Sequence, residues 1–290
     1  MLRLSLIRFL VCTCSAFFLT GCPPEVMDER PAYTPIYQDL ADRYNANLRG
    51  LDRIWASAVV EFKWREHRDE PFHNDQGEGH LIIMLPDRLA LTVGKIGNTI
   101  IWAGCDPQRY WMLDLRDERV AFVGRHEQFD SKKMPLPIRP IDLPRLLGIV
   151  RVPTDTTAAV TWRDGCWVIE PPGTHDRVFL HPQSALPIRI EWLDEVGQRK
   201  IVSRLSRHKP VLVTGVAPGE RPRIASRIEL SVAGEEGEEG GLTLFLSDAT
   251  NDKDKFNAKA FQFEHLVEKA FKIEQVVDLD LQTAEEHVPN

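Results

Sequence analysis

The chain has 290 residues, of which 43% are hydrophobic and 27% are charged, and its formal net charge is −7. These proportions are those of a globular protein and exclude a disordered, collagen-like or polytopic membrane chain. The acidic balance, without any block of Lys and Arg, argues against a nucleic-acid partner, because binders of polyanions concentrate basic residues on one surface.

Residues 1–21 have the pattern of an export signal. Arg3 and Arg8 precede an apolar run, residues 9–19. This run is too short to cross about 30 Å of hydrocarbon as a helix. The run ends in Leu-Thr-Gly-Cys, which resembles the bacterial lipobox. We therefore expect acyl chains such as palmitate on Cys22 to anchor the chain to a membrane that faces the periplasm. Pro23, by analogy with enterobacterial sorting rules, favours the outer membrane.

The rest of the chain is predicted to contain one folded domain, residues 36–281. Residues 22–35 form a proline-rich tether before it, and residues 282–290 form a polar tail after it. Apolar side chains at helical spacing predict an amphipathic helix over residues 37–54. The apolar period then becomes two, which predicts a strand over residues 56–64, and the polar residues 65–79 are predicted to form a loop.

From residue 79 onward the pattern is that of successive antiparallel strands separated by turns. A short helix is predicted around residues 142–148, and residues 233–240 are predicted to form an acidic hairpin tip. Whether the residues after Gly215 belong to the same sheet or form an added lobe stays open. The predicted fold class is mainly β (α+β), a curved antiparallel half-barrel of about ten or eleven strands, with helices covering its concave face.

Two cysteines remain in the folded domain, because Cys12 and Cys14 leave with the signal and Cys22 is modified. In an oxidising envelope Cys105 and Cys166 form a disulfide only where their α-carbons approach closely. The alternative is two buried, inert thiols. The sequence leaves both alternatives open.

The sequence lacks common catalytic motifs. There is no Gly-x-Ser-x-Gly elbow, no phosphate-binding loop and no His-Glu-x-x-His motif, so we expect no enzyme, no catalytic residue and no cofactor. One group has the side-chain types of zinc ligands, but its scattered spacing is more typical of a polar loop, and no metal site is predicted. Its members are His67, His73, Asp75 and His80.

Large apolar side chains recur across the predicted strands, and the seven tryptophans are spread one to a segment. Such side chains either line the concave side of a curved sheet around an apolar ligand or simply fill a core. The candidate cavity residues are Phe62, Trp64, Met84, Leu89, Leu91, Val93, Trp102, Trp111, Leu113, Trp162, Trp167, Ile190, Trp192 and Leu244.

Short motifs resemble the LolA/LolB-type lipoprotein carrier superfamily. Residues 85–91, Leu-Pro-Asp-Arg-Leu-Ala-Leu, and residues 104–114, Gly-Cys-Asp-Pro-Gln-Arg-Tyr-Trp-Met-Leu-Asp, resemble its Pro-x-x-Leu-x-Leu and Gly-x-x-x-x-Tyr/Phe-Trp strands. Leu-Pro-Ile-Arg-Ile at residues 186–190, followed by Gly197, resembles a later hairpin of that family. With the helix-then-strand order at the start, the resemblance extends over residues 37–213.

The resemblance implies an unclosed half-barrel with a helical lid, whose apolar inner face receives the acyl chains of lipoproteins or lipids. Because this chain carries its own anchor, its role is closer to that of a membrane-fixed acceptor than to that of a shuttling carrier. A rival hypothesis remains: an anchored sensor or interaction protein on the same fold, with a filled core.

Overall fold

The computed structural model describes residues 30–64, 71–130, 138–234 and 237–281. The chain divides into two units, and the fold presented here belongs to the unit Thr34–Asn290. The predicted signal, the lipidation site Cys22 and the polar tail lie outside the described residues. They stay predictions from the sequence.

Strands are the most frequent secondary-structure elements of the described residues. They are β1 Arg53–Trp64, β2 His73–Met84, β3 Arg88–Lys95, β4 Asn98–Cys105, β5 Arg109–Asp114, β6 Val120–Arg125, β7 Val160–Arg163, β8 Cys166–Ile169, β9 Asp176–Leu180, β10 Pro187–Leu193, β11 Arg199–Ser206, β12 Lys209–Pro210, β13 Arg223–Ile224, β14 Arg227–Gly234, β15 Gly237–Thr250 and β16 Gln275–Asp278. Fourteen of them form one open sheet in the order β16-β6-β5-β4-β3-β2-β1-β15-β14-β11-β10-β9-β8-β7, while β12 and β13 pair separately. Neighbours in the large sheet are antiparallel except β16 and β6, which are parallel.

The mainly β, open antiparallel fold is confirmed, but the predicted strand count is too low. The described residues form sixteen strands. One reason is that residues 73–79, predicted as loop, continue the β1–β2 ladder as far as the pair Trp64 and His73. Their side chains are polar, yet the backbone groups pair regardless of side chain. Three of the four described strands after Gly215 belong to the same sheet, since β14 and β15 lie between β1 and β11 and β16 lies at the edge.

The first helix is shorter than predicted. Helix α1 spans Tyr37–Ala46, and Gly50, with a φ of +76°, lies in the turn before β1. Leu48 and Leu51 are buried in the same core as the helix, so the apolar spacing continues although the backbone has left the helix. Among the described residues no helix combines the length and apolar character needed to cross a membrane.

Each face of the sheet is covered by a different part of the chain. The inner face packs against α1 and residues 138–152, which include a 3-10 turn, Pro140–Asp142, and helix α2, Leu143–Leu146. We call α1 and residues 138–152 the lid. The outer face near β2–β6 packs against residues 253–273, which we call the C-terminal segment.

Short turns make up the C-terminal segment before β16. They are the 3-10 turns Lys253–Lys255 and Ala258–Phe261, helix α3 Phe263–His265 and the π-helical turn Leu266–Ala270. Within this segment the side chains of Ala260, Phe261, Phe263 and Leu266 are buried. The strand itself starts later, at Gln275.

Candidate functional site

The candidate cavity residues divide between the two faces of the sheet. On the inner face, within or against the main core, lie Phe62, Leu89, Leu91, Val93, Trp162, Trp167, Ile190, Trp192 and Leu244. On the outer face, against the C-terminal segment, lie Met84, Trp102, Trp111 and Leu113. Trp64 is the last residue of β1, and its side chain is outside the described part of the chain.

The division follows from strand register. Leu91 is paired with Ala103, whereas Trp102 is paired with Thr92 and with Leu113. Successive side chains of a strand point to opposite faces, so Trp102 and Leu113 lie on the face opposite to Leu91. The four residues on the outer face therefore cannot line the same cavity as the nine residues on the inner face.

The inner face is a continuous apolar surface, and the lid covers its centre closely. Leu147 and Ile149 of the lid face Ile54, Leu81 and Ile83 of the sheet. The space left between these side chains is about 10 Å³, which holds no more than one water molecule. In this structure the inner face is closed and filled by the lid's own side chains.

Few polar contacts join this apolar lid to the sheet. Among the contacts of the described residues, two side-chain contacts join α2 to strands. The Ser203 hydroxyl in β11 donates a hydrogen bond of 2.7 Å to the Leu146 carbonyl, and Arg145 Nε lies 3.4 Å from Asp176 Oδ2 in β9. The Ser203 contact is buried and so is made without competition from bulk water, whereas the Arg145 side chain remains 41% exposed above the buried Asp176 carboxyl.

The two parts of the lid are tied to each other more extensively. The Tyr44 hydroxyl in α1 donates a hydrogen bond of 3.0 Å to the Val150 carbonyl. Burial raises the pKa of Tyr44 well above its usual value. Asn45 exchanges two hydrogen bonds with Val152, of 2.8 and 2.9 Å. The lid is therefore held together as one unit.

Two acidic side chains are buried at the lid, Asp142 within it and Asp176 in the strand beneath it. Asp142 forms an ion pair of 2.5 Å with Arg139. Burial raises the pKa of Asp176 to about 6, against the opposing effect of Arg145 and with a further raising effect from the Asp142 charge. No local sequence pattern marks Asp176 or Ser203 as buried, because a polar residue in a strand is usually solvated.

Cys105 and Cys166 are free, buried thiols. Cys105 lies in the main core on the inner face, whereas Cys166 packs with Val168 and Phe179 in a separate cluster. Burial raises the pKa of Cys105 to about 12 and also raises that of Cys166. In the structure the two cysteines are therefore buried thiols, and no disulfide joins them.

The histidine group is not brought together as a metal site. His73, Asp75 and His80 all lie in β2, and alternation along the strand places His80 on the face opposite to the other two. Asp75 forms an ion pair with Lys95, and His67 is outside the described residues. Nowhere in the described part of the chain do three His, Cys, Asp or Glu side chains converge as metal ligands would.

Comparison with known proteins finds similar solved structures but no related sequence family. No protein-family model matches the chain, and no curated protein matches it. A LolA superfamily protein from Nitrosomonas europaea is 11% identical, with 80% of this chain and 100% of that chain covered and a TM-score of 0.49.

Two further solved structures have similar folds. A DUF1329 family protein from Desulfovibrio piger is 13% identical over 79% of this chain and 97% of its own, with a TM-score of 0.43. An outer membrane lipoprotein-sorting protein domain from Vibrio parahaemolyticus is 11% identical over 78% and 95%, with a TM-score of 0.41. These three structures are what this chain is similar to, at 11–13% sequence identity and TM-scores of 0.41–0.49.

Proposed function

We propose that this chain is a membrane-anchored lipoprotein of the bacterial envelope that binds acyl chains of lipoproteins or lipids between the inner face and the lid. Such binding serves lipoprotein sorting or lipid transfer, and it needs neither a catalytic step nor a cofactor. The observation that carries the proposal is the continuous apolar inner face beneath a lid joined to the strands by few polar contacts. Lipidated Cys22 holds the chain at a membrane facing the periplasm, and the outer membrane is favoured.

Acyl binding requires the lid to move. A ligand pocket usually has several hundred Å³, and the space beneath the lid is about 10 Å³. Withdrawing Leu146, Leu147 and Ile149 from the sheet costs roughly 1.5–3 kcal/mol for each side chain left exposed. A chain of some fifteen methylenes gains about 12 kcal/mol on leaving water, at about 0.8 kcal/mol each. An acyl chain can therefore replace the lid side chains on the inner face.

A second candidate function is favoured by the same closed geometry. If the lid does not move, the inner face is a filled core. The chain is then an anchored sensor or interaction lipoprotein that recognises a partner through its surface. The observation in favour is the small space of about 10 Å³ beneath the lid.

Native mass spectrometry separates the two candidates. Residues 34–290, exported without the lipidated cysteine and purified gently, are expected to carry acyl species that survive desalting and exchange with added lipopeptide. A protein that stays free of lipid after incubation with phospholipid and lipopeptide would contradict the carrier proposal and favour the filled core.

Two matched variants locate the binding surface. Leu91→Asp places a charge on the inner face, and Leu113→Asp places one at an equally apolar, buried position on the outer face. Both cost stability, so circular dichroism must first show that each variant is folded. Loss of acyl species in Leu91→Asp with retention in Leu113→Asp is expected, and the reverse pattern would contradict binding at the inner face.

A further inference from the structure

A polar trough of about 700 Å³ lies on the outer face, and no described residue of the C-terminal segment lines it. Strand β15 forms its floor, where the outward-facing residues are Gly241, which has no side chain, and Thr243, whose side chain is small. Arg204 and Glu229, from β11 and β14, form one wall. The opposite wall is formed by β1 and β2. The trough exists because the strands on both sides of β15 carry long side chains, whereas β15 carries short ones at this place.

Strand register places the trough residues in a row. Arg204 is paired with Glu229, Glu229 with Thr243, Thr243 with Glu61, and Glu61 with Gln76. Directly paired residues lie on the same face of a sheet. Adjacent strands are about 4.8 Å apart, so the backbones at Arg204 and Glu61 are separated by roughly 14 Å. The two charged residues thus stand at opposite walls.

Several polar side chains of the trough are free to bind a ligand. Glu229 is paired with Arg227 at 2.6 Å, and Asp75 is paired with Lys95. By contrast, the side chains of Glu61 and Arg204 form no ion pair or hydrogen bond with another described residue. The amides of Asn74 and Gln76 and the hydroxyls of Ser231 and Thr243 line the same space.

The chemistry of these groups selects the class of ligand. One free carboxylate accepts hydrogen bonds, one free guanidinium donates them, and amides and hydroxyls do both. A polyanion would need a surplus of basic residues, whereas the lining has the carboxylates of Glu61, Asp75 and Glu229 against the two basic side chains Lys63 and Arg204. An acyl chain would need apolar walls. Hydroxyl groups that both donate and accept, on a ligand without net charge, match this lining. We propose that the trough binds a neutral oligosaccharide.

This inference does not rest on acyl binding, because the trough and the lid lie on opposite faces of the sheet. The volume is also suitable, since sites for small ligands commonly have about 300–1,000 Å³. The chain would therefore hold a sugar ligand on the outer face independently of the state of the lid.

Isothermal titration calorimetry tests the proposal on the full chain in a detergent that has no sugar headgroup. The probes are chitotetraose and maltotetraose, two neutral oligosaccharides with different linkages, and tetraglycine is the comparison ligand. Saturable binding of at least one oligosaccharide is expected. Arg204→Ala should weaken it about tenfold, because a hydrogen bond to a charged group is lost.

Further variants distinguish a specific site from a loss of folding. Thr243→Trp should abolish sugar binding by filling the trough while leaving acyl capture unchanged. Arg163→Ala, which removes an exposed arginine from β7 at the far edge of the sheet, should leave sugar binding unchanged. Absence of heat with both oligosaccharides, binding of tetraglycine alone, or full sugar affinity in both Arg204→Ala and Thr243→Trp would each overturn the proposal.

Discussion

Arg145 in lid helix α2 places its Nε 3.4 Å from Oδ2 of Asp176 in strand β9. The Asp176 side chain is 5% exposed, whereas that of Arg145 is 41% exposed. Burial therefore acts mainly on the carboxyl, and it raises the pKa of Asp176 to about 6. Of the two side-chain contacts that join α2 to strands within the described ranges, one thus depends on a group that titrates below neutral pH.

The contribution of Asp176 to the free energy of unfolding is expected to fall as the pH rises from about 4 to about 6. The folded chain binds the Asp176 proton more tightly than the unfolded chain does, so protonation stabilises the fold. This stabilisation is complete below the unfolded pKa, near 3.8, and it is lost as the pH rises through about 6. For a shift of about two pH units the contribution is roughly 3 kcal/mol. Urea unfolding across this range, with Asp176→Asn as comparison, measures it.

Asp176→Asn should flatten the pH dependence, because the amide carries no titrating proton. If the variant and the parent chain show the same slope between about pH 4 and pH 6, Asp176 does not titrate in that range and its environment differs from the one described.

Removing the Ser203 hydroxyl is expected to make the lid open more readily. Ser203→Ala eliminates the hydrogen bond to the Leu146 carbonyl and costs about 1 kcal/mol in the closed state. Under the acyl-binding proposal, stopped-flow uptake of a fluorescent fatty acid should become several-fold faster. Ser206→Ala is the matched control, because Ser206 is an exposed serine on the same strand that faces away from the lid. Equal acceleration by both variants would show that the effect is not at the lid.

Phe263→Ala should destabilise the fold without affecting the inner face. Phe263 is buried in the C-terminal segment, and its ring centroid lies 5.7 Å from that of Trp111. Loss of a buried phenylalanine side chain costs about 3–5 kcal/mol. Urea unfolding measures the loss, and native mass spectrometry under conditions where the variant is folded reports its bound acyl species. A variant with parental stability would contradict the packing of the C-terminal segment described here.

Both core thiols should be accessible to alkylation only after unfolding. Cys105 has a pKa of about 12 because of burial, so the reactive thiolate is scarce at neutral pH. Iodoacetamide should therefore leave Cys105 and Cys166 unmodified in the folded protein exported to the periplasm. After denaturation without reductant, intact-mass analysis should show both alkylated. Retention of both thiols in an unreactive pair after denaturation would mean that a disulfide forms in the envelope.

The sequence alone determined the class of the fold. Alternating apolar side chains and turn residues predict strands because a strand's side-chain pattern is local, with a period of two. The same local information failed at residues 47–54, where Leu48, Leu51 and Ile54 keep helical spacing while the backbone turns at Gly50 and enters β1. Burial constrains where side chains point, and more than one backbone path satisfies it.

Only the tertiary structure decided which apolar row faces the candidate site. In β5, Tyr110, Trp111, Met112 and Leu113 form an uninterrupted apolar run, and such a run is expected where both faces are covered. The cover for the Trp111 row is the C-terminal segment, remote in sequence, so alternation by itself could not assign that row to the outer face.

The polar groups of the candidate site were also decided by tertiary structure. Ser203 and Asp176 are ordinary polar strand residues in the sequence. They are buried because the lid supplies the Leu146 carbonyl and the Arg145 side chain as partners. A buried polar group is tolerated only when such a partner is present, and which partner reaches it depends on how distant segments pack.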